Sequence, residues 1–153
     1  MNTNDYMTGA ELQALREACG LDRDQLGEMC GVQGRSIKYW EMGSSKHGVP
    51  ADVESLILEL ESKVNAMTED ALKRLTGKPG VVLMRGADPL KNAANTRVFV
   101  ALRAIGQDVR IVAFDYKAYR AQLQGQDTPE KRQEWARRAL KEQAKPHRQD
   151  QPA

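Results

Sequence analysis

Few residues of this chain could do covalent chemistry, and they are scattered. Cys19 and Cys30 form no CxxC pair, and His47 and His147 lie far apart in the chain. Neither pair has metal-ligand spacing or suggests a disulfide framework; buried, unreactive thiols in a reducing compartment fit better. Thr76-Gly77-Lys78-Pro79 lacks the upstream glycine and trailing hydroxyl of a phosphate loop. No nucleophile has a histidine near it in sequence. The sequence therefore predicts no catalytic residue, no enzyme activity, no metal and no cofactor. A different chemistry is concentrated between positions 23 and 46, where Arg23, Gln33, Arg35, Ser36, Lys38, Tyr39 and Lys46 fall. Arginine can donate two bonds to the O6 and N7 of guanine. Lysine meets a base edge or a phosphate, and tyrosine offers a hydroxyl and a ring. Gln33 and Ser36 have the polar groups that bond phosphate at a helix N-terminus.

Such side chains need rigid elements behind them. Thr8 with Glu11, and Asp22 with Gln25, have the spacing of capping boxes that start helices. Leu12, Leu15 and Ala18 continue the first helix, and Leu26, Met29 and Cys30 the second. A third helix runs from about Gly34 to Met42, with Ile37 and Trp40 directed inward and Glu41 paired with Arg16. Gly20, Gly31 and Gly43 close the three. Counted from Arg23, a small residue stands fifth (Gly27), the turn glycine ninth (Gly31), and apolar residues tenth, fifteenth and eighteenth (Val32, Ile37, Trp40). The fifth must be small because two helices cross there, and the ninth must take a positive φ. Arg35, Lys38 and Tyr39 are then left on the outer side of the last helix. This is the pattern of a helix-turn-helix, whose second helix enters the DNA major groove.

The stretch LQALREACGLDRDQLGEMCGVQGRSIKYWEMG, followed by a loop and VPADVESLILEL, resembles the lambda-repressor/Cro-like helix-turn-helix family, also called the xenobiotic-response-element type. The resemblance covers Leu12 to Leu60, about a third of the chain. Within the family the chain looks like the subgroup in which Tyr-Trp-Glu-x-Gly precedes a long helix and a small α/β region. That subgroup includes the anti-CRISPR-associated transcriptional regulators of phages and mobile elements. The resemblance implies a homodimer, joined through the C-terminal region, that represses its own operon. The chain departs from the family at Arg23, where Gln or Thr is usual, at Gly27, where Ala is usual, and at Gly34, where a polar side chain usually stands. Gly34 removes one possible base contact.

Beyond the motif, Pro50 suits the start of a helix carrying Val53, Leu56, Ile57, Leu60, Val64, Met67, Ala71, Leu72 and Leu75, either unbroken or interrupted near Thr68. Val81–Met84 and Val109–Phe114 read as buried strands. Residues 88–95 read as a loop or a brief helix, and Thr96 as the cap of a helix through Val98, Phe99, Leu102 and Ile105. Asp115 and Thr128 cap two more helices. The expected fold class is α+β and mostly helical, an N-terminal helix-turn-helix bundle plus a small C-terminal α/β dimerisation region. The expected domains are 1–62 for DNA binding and 63–145 for the long helix and βαβ region, with a disordered tail at 146–153. Two strands make a poor sheet, which argues for completion by a second copy. The candidate dimer contacts are Leu60, Val64, Met67, Val109, Ile111 and Phe114.

The 153 residues hold 23 Lys and Arg against 21 Asp and Glu. A net charge of +2 excludes a protein that coats nucleic acid unspecifically. The charge is unevenly spread: residues 1–50 carry −2, residues 51–79 carry −2, residues 80–126 carry +4 and residues 127–153 carry +2. No apolar run is long enough to cross a membrane and the N-terminus has no signal-peptide pattern, so a cytoplasmic protein is expected. The expected partner is an inverted-repeat double-stranded DNA operator. The rival reading is an antitoxin whose C-terminal half binds a toxin.

Overall fold

The computed structural model describes residues 6–43 and 48–146. Seven helices and two strands follow in the order α1 (Gly9–Ala18), α2 (Arg23–Cys30), α3 (Gly34–Glu41), α4 (Ala51–Leu75), β1 (Val81–Arg85), α5 (Pro89–Ala104), β2 (Val109–Ala113), α6 (Tyr116–Gln122) and α7 (Pro129–Gln143). The architecture is the mostly helical α+β class expected. Two units divide it, Met1–Glu69 with Asp88–Ala94 and Asp70–Ala87 with Asn95–Ala153.

In the first unit both expected capping boxes form. Thr8 accepts from the Glu11 amide at 3.0 Å while Glu11 accepts from the Thr8 amide at 2.9 Å, and Asp22 and Gln25 do the same for α2. Each box satisfies two of the amides a helix start leaves without partners. Leu12, Leu26 and Ile37 from the three short helices bury completely with Val53, Ile57, Leu60 and Val64 from α4. The α4 stripe is buried in this core as far as Val64, and Met67 packs against it, so the division falls seven residues beyond the expected boundary at 62, between Glu69 and Asp70. The α4 helix is unbroken. Thr68, the expected break, donates its hydroxyl to the Val64 carbonyl at 2.7 Å, a bond inside the helix that leaves no capping role.

In the second unit β1 and β2 pair in parallel, Val81 opposite Val109 and Arg85 opposite Ala113. Val81, Leu83 and Val109 pack on one face with Val98 and Leu102 of α5; Val82 and Val112 pack on the other with Tyr119, Trp135 and Ala136. Burial on both faces explains why the strands read as unbroken apolar runs. The connecting helix α5 starts at Pro89, well before the cap expected at Thr96. Asp88 is the start signal: its carboxylate accepts from the Leu90 amide at 3.0 Å, and proline occupies the first helical position. Ala93 and Ala94 are apolar enough to bury there, while Thr96 lies mid-helix and its hydroxyl accepts from Arg85 at 3.3 Å.

Side-chain amides bond four of the backbone groups on the outward edges of this small sheet. Gln143 bonds both the amide and the carbonyl of Ala113, at 2.8 and 2.9 Å. Gln133 donates to the Val82 carbonyl at 3.1 Å and Asn95 to the Met84 carbonyl at 2.8 Å. These amides do locally what a third strand would do, which removes the physical argument for completion by a partner at those positions. Three expected dimer contacts also prove to be core residues. Leu60, Val64 and Val109 are 5%, 0% and 2% exposed within their own chain, so none offers surface to a second copy. Met67, Ile111 and Phe114 are half-buried against the cores. Of the expected tail 146–153, all but Pro146 lies outside the described residues.

Candidate nucleic-acid interface

The helix pair α2 and α3 meets through a turn at Gly31, whose φ of 72° is the left-handed conformation that favours glycine. Gly27 is where the chain folds most tightly. A Cβ there would lie 2.7 Å from the Val32 carbonyl oxygen and 3.1 Å from the Gly34 nitrogen. Both atoms are backbone, so the small residue expected at this position is required, and even alanine is crowded.

One side of α3 is fixed from behind. Ile37 is fully buried, Trp40 packs on the first core, and the Glu41 carboxylate has no solvent access. Arg16 of α1 grips Glu41 with two nitrogens, at 2.5 and 3.0 Å, and donates a third bond to the Leu21 carbonyl at 2.9 Å. Arg23 adds a bond from Nε to the same carboxylate at 3.0 Å. Burial pushes the Glu41 carboxyl up, but the hydrogen bonds and charges of the two arginines outweigh it and hold it below the usual range. The hydrogen bond to Glu41 likewise raises Arg16. One carboxylate thus ties α1, α2 and α3 together. The Arg16–Glu41 pair was expected; the engagement of Arg23, expected at the DNA backbone, was not. Arg23 remains 36% exposed while its Nε is held.

The other side of α3 is free to meet a ligand. Arg35 and Lys38 are exposed and Tyr39 is 50% exposed. Ser36 is half-buried between them, and Gln33 is exposed at the helix start, where its side chain makes no cap bond. Arg35 and Lys38 line a groove of about 580 Å³ with Arg23, Asp24 and Gly34. Arg35, Ser36 and Tyr39 line a second hollow of about 320 Å³ with Trp40. Six of the seven expected contacts therefore gather on α3 and the start of α2. The seventh, Lys46, lies outside the described residues, as does His47. Sequence reasoning missed Asp24, whose carboxylate sits against Gly34. The sequence signal for it is its place one residue after Arg23, at the helix start.

Elsewhere the described residues hold no group of three or more His, Cys, Asp or Glu placed to bind a metal ion. Cys19 is buried; at Cys30, burial and then Asp52 push the thiol up. No described helix is long and apolar enough to cross a membrane. The chain matches no family model, and no curated protein matches it in sequence.

Proposed function

We propose that this chain is a sequence-specific double-stranded-DNA-binding transcription regulator of the lambda-repressor/Cro-like type, a repressor of its own promoter. The observation that carries the reading is the two-sidedness of α3. Ile37 and Glu41 anchor one side, and Arg35, Lys38 and Tyr39 stand exposed on the other. An α-helix such as α3 is about 10–12 Å across with its side chains, which the major groove, about 12 Å wide, admits. Arg35 reads a guanine by its O6 and N7; Lys38, Tyr39, Gln33 and Ser36 contact base edges and phosphates around it. Lys46 adds a phosphate contact from the loop after α3, and Arg23 contributes charge near the groove. Two copies binding successive major grooves read an inverted repeat, with half-sites about 34–36 Å apart. The bound dimer occludes polymerase, and the protein acts in the cytoplasm.

Fluorescence anisotropy with DNA from the gene's own upstream region tests this. Wild type should bind it over scrambled DNA, with affinity falling steeply as salt rises. Arg35→Ala should weaken specific binding by about 1–3 kcal/mol and relax the preference at one base pair per half-site. An Arg35→Ala protein that binds as wild type would sink the assignment of α3.

A further inference from the structure

Gly34 stands where a polar, base-reading side chain is expected, yet the space is not vacant. A Cβ built on Gly34 would collide with the Oδ1 of Asp24 and lie 3.1 Å from its backbone nitrogen. The carboxylate of Asp24, from the first turn of α2, therefore occupies the place of the missing side chain, at the first residue of α3. Asp24 is exposed, and its side chain makes no hydrogen bond or ion pair with the described residues. It faces the same groove as Arg35 and Lys38.

We propose that Asp24 is a specificity-determining residue that accepts a hydrogen bond from an exocyclic amino group in the major groove, the N4 of cytosine or the N6 of adenine. The inference rests on the DNA-binding reading above. An ionised carboxylate only accepts. In the major groove it is satisfied by an amino donor and repelled by the acceptor oxygens and nitrogens that guanine and thymine present. A negative charge beside the phosphates also weakens attachment to every sequence, so it acts by rejecting wrong bases as much as by binding the right one. Gly34 permits this arrangement, because any larger residue there would displace the carboxylate. Arg35, on the adjoining position, supplies the opposite preference, for guanine. The start of α3, with the Asp24 carboxylate of α2 beside it, thereby reads an amino donor through Asp24 and a guanine acceptor edge through Arg35.

The test is selection of bound sequences from randomised double-stranded DNA with wild type, Asp24→Ala, Asp24→Asn and Arg35→Ala, each checked for wild-type melting. Wild type should select cytosine or adenine at one position per half-site, and the base selected tells which amino group is read. In Asp24→Ala that preference should flatten by about 5- to 150-fold, while the guanine chosen through Arg35 persists. Binding to random DNA should tighten. Asp24→Asn, isosteric but able to donate, should broaden the same position. If both Asp24 variants select the wild-type sequence unchanged, the proposal is overturned and the DNA-binding reading stands. If wild type selects no sequence at all, that reading fails and this one falls with it.

Discussion

At the scale of single residues, Glu41 shows how an interior charge can fix the position of a surface helix. Its carboxylate is fully buried and shared by Arg16 and Arg23. Replacing it with alanine leaves Arg16, itself 7% exposed, buried without its partner. Such a loss costs about 3–5 kcal/mol, to be read from denaturant unfolding of Glu41→Ala. The same group gives an acid dependence. Its folded pKa lies below the ordinary 4.5, so its contribution is complete above that pH and is lost as pH falls through the folded value. Glu41→Gln should flatten the decline of stability below about pH 4.5, measured as the unfolding midpoint against pH; an unaltered decline would show that the carboxylate is not held as described. The Arg16–Glu41 pair was readable in sequence because Glu41 lies four residues after inward Ile37, on the same face of a short helix. The third partner was not, since Arg23 looks like any exposed cation at a helix start until α2 and α3 are set side by side.

At the scale of elements, the turn between α2 and α3 separates two uses of glycine. Gly31 needs glycine for its backbone angle alone, with no atom within 4 Å of where a Cβ would be. Gly31→Ala should cost about 1–2 kcal/mol, the strain of a left-handed conformation, and leave α3 in place. Gly27→Ala instead drives a methyl into the Val32 carbonyl, which cannot swing away as a side chain could. It should cost about 1–3 kcal/mol and also shift α3. Under the proposed function, DNA affinity then falls in Gly27→Ala by more than its lost stability accounts for, and in Gly31→Ala it does not. Unfolding and anisotropy on the two variants together check this. Equal effects would mean that the close crossing at Gly27 does not position α3. The helices α1 to α3 were legible because caps and terminating glycines are local signals. The start of α5 was not, because the polar run from Asp88 to Asn95 hides a proline-opened first turn whose Ala93 and Ala94 are buried only in the folded chain.

At the scale of the whole molecule, the proposed repressor must be a dimer to read an inverted repeat, and the fold narrows how it could be. Leu60, Val64 and Val109 are committed to the chain's own cores, and Gln143, Gln133 and Asn95 bond the sheet edge at Ala113, Val82 and Met84. A second copy would have to meet exposed residues such as Val100, Ile105 or Tyr116. Light scattering at micromolar concentration should give twice the 17.1 kDa chain mass; a monomer there would end the dimer reading. The sequence by itself determined the class of fold, the positions of the three short helices, and the run of residues whose outer side chains suit base and phosphate contact. It could do so because caps, turn glycines and the 3.6-residue period act over a few positions. The tertiary structure alone decided that Leu60, Val64 and Val109 are core rather than dimer contacts, which side chains bond the sheet edge, that Arg23 braces Glu41, and that the Asp24 carboxylate stands in the space left by Gly34. Each of those depends on side chains brought together from different elements, and no spacing along a single helix records them.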